Sequence, residues 1–401
     1  MSVPVVSPSL ATGTPIPRVF QPRRTVPSDV VRPTRAEITL PNLRFNLQRL
    51  QRRSRSPVWC VLKADAYGHG AKACARTLER AGAAGVCVAL LEEGIELRNA
   101  GVTIPVLVMG GYYGSAYGEL LAHHLTPVLY DAVQIEELAR EVRYRDSGSA
   151  TVHIKLDTGM GRLGVQSKDL QNIAQSLRDA PELRVQGLMT HFASADTDPD
   201  SIAEQLTRFD EATNTLRGLG VESQWRHAAS TAAILSSDAS HLDFVRPGIG
   251  IFGVEPSLGS APELKPVMRV VSTVIALREI EVGQSVGYGG TWKAARRSLI
   301  ATIPMGYADG LSRACSNRSQ VLIRGKRAPV AGTVSMDLTT IDVTEIPGIA
   351  IGDEVTVLGG QKGPLGEDVI GARELADVLG TIPWEVLTNI SRRVPRFYRG
   401  A

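Results

Sequence analysis

A lysine at the end of an apolar run is the first residue whose position allows covalent chemistry. Lys63 follows the run 58–62 and precedes Ala-Asp-Ala-Tyr-Gly-His-Gly. An amine at the end of a buried strand carries a large desolvation cost unless it is neutralised or used covalently. One such use is an imine with an aldehyde cofactor. A salt bridge, for example to Asp65, is the alternative, and the residue alone leaves both open.

Two glycine-rich stretches offer groups that bind anions. In residues 244–251, Gly248 and Gly250 let backbone N–H groups approach an anion closely, and Thr231 offers a hydroxyl and an N–H to the same site. Ordinary turn geometry explains these glycines equally well. Residues 154–164 form a strand and a glycine-rich loop that presents Arg162, whose guanidinium binds carboxylate or phenolate oxygen as a rigid fork.

Three further positions give weaker signals. Lys155 alternates with Asp157 on one face of an inferred strand, as an ordinary interior ion pair would. Tyr288 lies between glycines, which suits a side chain inserted into a site, although a turn aromatic has the same pattern. Ser335-Met-Asp337 lies on a junction between two β-runs and by itself indicates little.

Apolar runs that alternate with amphipathic segments must position these residues. Candidate strands lie at 58–63, 86–90, 106–109, 127–130, 152–157, 185–191, 225–228 and 244–246, and helical patterns lie at 71–81, 92–100, 132–142, 168–178 and 202–219. Eight strands, most of them followed by a helix, predict a (β/α)8 barrel, with a doubly wound sheet as the alternative. In a barrel, reactive groups gather at the C-terminal ends of the strands, where five polar residues fall: Lys63, Arg162, His191, Thr231 and Arg246.

A second, mainly β domain follows from about residue 268. Its β-rich runs lie at 270–277, 298–303, 320–323, 328–334, 338–343 and 354–358, and one helix lies at 372–379. We therefore predict a barrel domain at 36–268 and a β domain at 269–401. Residues 1–35, rich in Pro, Ser and Val, predict a disordered extension, with a targeting segment as the alternative.

Composition excludes several classes of function. The 44 basic and 41 acidic residues nearly cancel, so nothing indicates a nucleic-acid or membrane partner. No apolar run approaches the roughly 20 residues needed to span a bilayer. The four cysteines show no metal-binding or redox spacing, which predicts no metal site and a reduced, cytoplasmic protein.

From about residue 35 to residue 398 the sequence resembles the alanine racemase family, the fold-type III pyridoxal-phosphate enzymes. The resemblance begins with Val61-Leu-Lys-Ala-Asp-Ala-Tyr-Gly-His-Gly70 and continues in order through residues 155–164, 187–196, 227–233, 246–253, 285–292, 304–310, 334–338 and 393–396. Nine ordered blocks make chance similarity very improbable. The architecture of the family also agrees with the barrel and β domain predicted from periodicity.

The resemblance implies racemisation of alanine with pyridoxal 5'-phosphate as cofactor. Lys63 would bind the cofactor as an imine and act as the base on one face of the substrate. Tyr288 would be the base on the opposite face, contributed by the partner subunit of a homodimer. Racemisation needs two such groups because the proton leaves from one face and returns on the other. His191, linked through Arg246 to His227, would assist the tyrosine, whose reference pKa is about 10.

The remaining roles that the family implies concern binding. Arg246 would face the pyridine nitrogen of the cofactor and, since an arginine does not give up its proton, leave that nitrogen largely unprotonated. Arg162 would contact the cofactor phenolate and the substrate carboxylate, assisted by the Met336 backbone N–H. Lys155 matches a position that is often carbamylated. The phosphate would be held by Tyr67, Thr231, Gly248 and Ile249, and the substrate access corridor would contain Tyr307 and Arg313 from the partner chain.

Two departures from the family pattern concern the substrate. Arg392 stands where the family usually has a tyrosine that narrows the pocket and touches the phosphate, and Thr333 stands where it usually has an arginine. A cation at Arg392 would help to hold the phosphate, or would admit a longer or acidic side chain. The alternative function is therefore a broad-specificity racemase acting on serine, lysine, arginine or similar amino acids. A fold-type III decarboxylase would need a cysteine in place of Tyr288, and non-catalytic relatives lack the β domain.

Overall fold

The structure is a computed structural model that describes residues 31–110, 116–256 and 263–400. One strand and one helix open the chain, β1 (Arg35–Thr39) and α1 (Leu40–Ser54). Seven strands then pair in parallel, in the order of the chain: β2 (Trp59–Val61), β3 (Gly85–Val88), β4 (Val106–Val108), β5 (Thr126–Leu129), β6 (Ala150–Lys155), β7 (Leu183–Met189) and β8 (Trp225–His227).

The segment predicted as the eighth strand closes this sheet into a ring. Val245 forms a parallel bridge with Val58. The N–H groups of Trp59 and Val61 donate to the carbonyls of Val245 and Pro247, at 2.9 Å each. Residues 244–246 thus occupy the eighth position, with too few ladder hydrogen bonds to form a longer strand. The predicted (β/α)8 barrel is confirmed.

The helices of the barrel cover its strands with apolar stripes. In the helix Ala71–Arg80, Ala71, Cys74, Ala75 and Leu78 are buried, a spacing of three and four residues that forms one face. Gly82, with φ of 88°, lies just past its end, where glycine adopts the left-handed conformation without strain. The helices are α2 (Lys63–Tyr67), α3 (Ala71–Arg80), α4 (Leu91–Asn99), α5 (Tyr117–Ala122), α6 (Ala132–Tyr144), α7 (Leu170–Arg178), α8 (Ser201–Gly218) and α9 (Thr231–Ser236).

Aromatic and imidazole rings pack together inside the barrel. The Phe244 ring centroid lies 4.7 Å from that of Trp59 and 4.1 Å from that of His227. His153 lies among the same rings, 6.2 Å from Trp225 between centroids. Buried polar groups need hydrogen-bond partners, so the two imidazoles must find theirs within the barrel itself.

The second half of the chain is mainly β, as predicted. Its longest sheet has the order β15-β14-β17-β9-β1-β19, with β18 paired to β17, and β10-β13-β16 form a smaller one. The elements are β9 (Met268–Thr273), β10 (Ala276–Ile280), β11 (Ser285–Val286), β12 (Trp292–Lys293), β13 (Ser298–Ile303), β14 (Gln320–Ile323), β15 (Lys326–Pro329), β16 (Thr339–Asp342), β17 (Glu354–Gly363), β18 (Gly366–Ile370), α10 (Ala372–Leu379), α11 (Pro383–Thr388) and β19 (Arg396–Arg399).

The first strand of the chain lies in the sheet of the second half. β1 is antiparallel to β9 and parallel to β19. Thr34, just before it, is fully buried and bonds the Ser272 hydroxyl at 2.8 Å. The described residues therefore begin in the sheet of the β domain, before the barrel starts. The domain ranges drawn from the sequence stay predictions, and residues 1–30 lie outside the described residues.

No helix in the described ranges is long and apolar enough to cross a membrane.

Candidate active site

A pocket of about 450 Å³ opens at the C-terminal ends of the barrel strands. The barrel brings together there the five strand-end residues that the sequence predicted would meet. Three members of the predicted phosphate site join them. The predicted residues that line the pocket are Lys63, Tyr67, Arg162, His191, Thr231, Arg246, Gly248 and Ile249.

Lys63 stands at the mouth of this pocket rather than in the buried strand. β2 is fully buried but ends at Val61, and the Lys63 side chain is exposed in the single chain. The salt bridge considered with Asp65 is not formed, because the Asp65 carboxylate accepts the Ala71 N–H at 2.7 Å. Partial burial and the Arg162 guanidinium lower the pKa of Lys63, while Glu93 opposes them. The amine is therefore easier to deprotonate than a free lysine.

Glycines on one side of the pocket allow close packing around two hydroxyls. A Cβ on Gly248 would lie 2.3 Å from the Tyr67 hydroxyl oxygen, and one on Gly250 would lie 2.5 Å from the Thr231 methyl carbon. Thr231 Oγ1 accepts the N–H groups of Gly248 and Gly250, at 3.1 and 3.2 Å. These contacts require glycine and fix the two hydroxyls beside each other, which is the donor set that a phosphate needs.

The loop that presents Arg162 is held by Asp157. One Asp157 carboxylate oxygen accepts the backbone N–H groups of Gly159, Met160 and Gly161, at 3.0 to 3.1 Å. Asp157 thus organises the turn, and the ion pair considered with Lys155 is absent from the described residues. Arg162 is left exposed at the pocket.

Lys155 is buried just behind this loop, at the end of β6. Burial and the neighbouring guanidiniums of Arg162 and Arg246 lower the pKa of Lys155 to about 8. The neutral amine is therefore more abundant near neutral pH than in a free lysine, and the neutral amine is the form that adds carbon dioxide. The predicted carbamylation stays a prediction.

Buried nitrogens connect the pocket to the barrel interior. Arg246 donates to Nδ1 of His227, and its Nη2 lies 3.5 Å from Nδ1 of His191. An arginine only donates, so both Nδ1 atoms are acceptors and each ring has its proton on Nε2. His227 Nε2 then donates to Nδ1 of His153 at 2.8 Å. The guanidinium at the start of this relay sets the tautomer of every ring in it.

The relay histidines are neutral. Burial, followed by the charge of Arg246, lowers the pKa of His191 to about 3 and that of His227 well below its usual value. Burial also lowers the pKa of His153 to about 3. The pKa of Arg246 falls to about 10 through burial, which leaves the guanidinium protonated at neutral pH. Arg246 is further held by the carbonyls of Thr190 and Ala228, at 2.8 and 3.1 Å.

Five predicted site residues lie on the second domain and outside this pocket, Arg392 among them. Tyr288, Tyr307 and Met336 are 73%, 42% and 52% exposed, and Arg313 is exposed as well. Two hydrogen bonds bring the segments of the first three together. The Tyr307 N–H donates to the Ser335 carbonyl at 3.0 Å, and the Thr333 hydroxyl donates to the Tyr288 carbonyl at 3.0 Å. We call Tyr288, Tyr307 and Met336 the tyrosine face.

Comparisons with known proteins agree with this geometry. The family models "Alanine racemase, N-terminal domain" and "Alanine racemase, C-terminal domain" match residues 38–256 and 267–398. The alanine racemase of Sorangium cellulosum is 55% identical over 377 residues, which cover 92% of this chain and 100% of that protein. The chain belongs to the alanine racemase family.

Solved structures of the family superpose on nearly the whole chain. The alanine racemase of Streptomyces coelicolor A3(2) is 34% identical, with a TM-score of 0.86 over 93% of this chain and 99% of that one. The enzyme from Bacillus anthracis, solved with bound L-Ala-P, is 31% identical, with a TM-score of 0.86 over 92% and 96% of the two chains.

Both departures from the family pattern lie away from the pocket lining. Arg392 is exposed and lines a neighbouring pocket of about 470 Å³, together with Glu92, Glu93 and Glu96. Thr333 is buried, and its hydroxyl supports the turn of Tyr288. In this chain the arginine of the family is therefore replaced by a residue that holds the tyrosine face in place.

Asp309 anchors the loop of Tyr307. Its carboxylate is fully buried, binds the Arg32 guanidinium through two hydrogen bonds of 2.8 and 3.0 Å, and accepts the Gly306 N–H at 3.1 Å. Arg393 approaches the same carboxylate at 3.5 Å. No sequence spacing links residues 277 positions apart, so only the fold reveals this cluster.

Proposed function

We propose that this protein racemises alanine with pyridoxal 5'-phosphate, as a cytoplasmic homodimer with shared active sites. The supporting observation is a single pocket that holds an amine, a glycine-lined pair of hydroxyls and a guanidinium that only donates. The family relatives named above are all alanine racemases, which favours alanine over the broad-specificity alternative. Four buried free cysteines agree with a reducing compartment.

The residues present fit the cofactor. The hydroxyls of Tyr67 and Thr231, with the backbone at Gly248 and Ile249, would hold its phosphate, and the Arg246 guanidinium would face its pyridine nitrogen. When bound, this cofactor withdraws electrons from the substrate amine and acidifies the proton on Cα. Because the Arg246 guanidinium donates a hydrogen bond without giving up its proton, it would limit that withdrawal, which disfavours side reactions.

Lys63 would act as the base on the substrate face that is directed toward the barrel. Its lowered pKa makes the neutral amine more abundant, and a neutral amine accepts a proton from Cα. Arg162, exposed at the pocket beside it, would orient the substrate carboxylate through its planar fork. These two side chains stand on separate strand ends of one rigid barrel.

Tyr288 of the partner subunit would serve the opposite face. Within the described chain Tyr288 is 73% exposed and does not line the pocket, so it does not take part in the site of its own subunit. Neutral His191 would present Nε2–H to the incoming phenol oxygen, since its Nδ1 faces Arg246. A donor at that oxygen favours the phenolate, the form that accepts a proton.

Mixing two inactive variants tests the shared site. Lys63→Ala and Tyr288→Phe alone should each lose about 10²- to 10⁴-fold in kcat, because each lacks one base. After unfolding and refolding as a mixture, half of the dimers are mixed and have one intact site of two, so about a quarter of wild-type activity should return. Racemisation is measured by chiral chromatography.

The control is each variant refolded alone, which should stay inactive. A mixture that remains inactive, although size-exclusion chromatography shows mixed dimers, would contradict sites shared between subunits. A panel of L-amino acids assayed with the wild type completes the test. Alanine among the slowest substrates would contradict the proposed specificity.

A further inference from the structure

The backbone directly after Lys63 adopts the left-handed conformation, which is unfavourable for L-amino acids. Ala64, Asp65, Ala66 and Tyr67 have φ values of 54°, 53°, 55° and 52°. The hydrogen bond from Gly68 N to Ala64 O, at 2.9 Å, closes this segment as a left-handed helical turn. Non-glycine residues adopt that conformation at a cost, and four in succession are rare. Surrounding contacts must therefore hold the turn.

The carboxylate of Glu93, in the first turn of α4, accepts a hydrogen bond from the first residue of the left-handed turn. Glu93 Oε1 accepts the Ala64 N–H at 2.6 Å, which belongs to the peptide bond that follows Lys63. Glu93 Oε2 accepts the N–H groups of Ala89 and Leu90 at 2.8 and 3.1 Å, where β3 passes into α4. Both oxygens are used, so the side chain links two strand ends of the barrel.

The other end of the turn is held by different groups. Asp65 accepts Ala71 N at 2.7 Å, and Arg396 Nε donates to Gly68 O at 2.9 Å. These contacts fix the turn where it enters α3. At the start of the turn, the Ala66 N–H donates to the Leu62 carbonyl at 2.9 Å, and Glu93 supplies the side-chain acceptor of the Lys63–Ala64 peptide.

We propose that Glu93 is a positioning residue, whose carboxylate holds the left-handed turn and so directs Lys63 and Tyr67 into the pocket. This inference rests on the proposed role of Lys63. A carboxylate is needed because it has acceptors on both oxygens. A glutamine offers one carbonyl oxygen and one NH2 group, so it satisfies either Ala64 or the Ala89–Leu90 pair and leaves the other N–H unpaired.

The test compares Glu93→Gln with Glu92→Gln in the holoenzyme. Glu92 is the exposed neighbour on the same helix turn, so its variant loses the same charge. Glu93→Gln should lower kcat for alanine about 10- to 100-fold, because misplacement by about 1 Å costs that much, with KM changed less than about threefold. Glu92→Gln should keep kcat within about twofold.

Hydrogen exchange supplies a readout independent of activity. The Ala64 amide should exchange slowly in the wild type and at least about tenfold faster in Glu93→Gln, followed by mass spectrometry with electron-transfer fragmentation. Fast exchange of Ala64 in the wild type would overturn the proposal, even where Glu93→Gln fails to fold. A normal kcat in a folded Glu93→Gln would overturn it as well.

The two proposals fail in different ways. If the wild type does not racemise alanine, the proposed function fails, while the exchange of Ala64 still decides whether Glu93 holds the turn. If the wild type racemises alanine and both glutamine variants behave alike, only the role of Glu93 fails.

Discussion

The barrel pocket and the tyrosine face contain the two halves of one predicted site, and they differ in how their side chains are held. In the barrel, Arg246, His227 and His153 are buried, and the hydrogen bonds from Arg246 to His227 and from His227 to His153 set which nitrogen of each ring carries the proton. On the second domain, Tyr288 is exposed, and within the described part of the chain its backbone carbonyl accepts a hydrogen bond from the Thr333 hydroxyl.

This difference indicates which half is complete within one chain. Buried polar groups must be paired when the chain folds, so the barrel half is organised before any partner arrives. A large exposed aromatic on a rigid turn suits a surface that is covered on assembly. In the proposed homodimer, the partner subunit would supply the environment of the tyrosine face.

Removing the hydroxyl group of Tyr288 should produce the largest loss of kcat. Tyr288→Phe keeps the ring and the turn but lacks the oxygen, so kcat should fall by about 10² to 10⁴. In deuterated water, proton exchange at Cα should persist from one enantiomer and nearly disappear from the other, measured by mass spectrometry. Equal small losses in both directions would contradict a base on each face.

Disrupting the relay should change stability and its pH dependence. Unfolded histidine takes up a proton below about pH 6.5, whereas folded His153 does so near pH 3. Its contribution is therefore full above about pH 6.5 and is lost as the pH falls toward 3, by about 1.4 kcal/mol per pH unit. His153→Phe should make the free energy of unfolding fall less steeply between about pH 6 and 4.

The same variant should also be less stable at neutral pH, by about 1–3 kcal/mol, because His227 Nε2–H loses its acceptor. Urea unfolding at fixed protein concentration across this pH range measures both effects. His124→Phe, at an exposed position, is the surface control. An unchanged slope in His153→Phe would contradict a neutral, buried imidazole.

Replacing Arg392 by tyrosine, the residue that the family resemblance implies at this position, should have the smallest effect on kcat/KM. Arg392 is exposed and lies in the pocket next to the site, so Arg392→Tyr should alter kcat/KM for alanine by less than about fivefold, or about 1 kcal/mol. The substrate panel should keep its order. A large gain for alanine, with loss of bulkier substrates, would show that Arg392 shapes the site after all.

Periodicity and residue type were enough to predict the barrel, the β domain and the gathering of five polar residues at one end. The strand runs are short and apolar because parallel strands are covered on both faces, and a barrel places the ends of all its strands together. Lys63 and Arg162 were found from their strand positions. Tyr288, Tyr307 and Met336 were assigned from the family resemblance.

The tertiary structure alone decided which carboxylates support those residues. Glu93 and Asp309 have no motif, because their partners Ala64 and Arg32 are 29 and 277 positions away along the chain. The neighbours of Arg392 and Asp157 were likewise identified only from the folded structure. Local sequence determines periodicity and turn chemistry, whereas a buried acceptor is matched to its donor by the packing of distant elements.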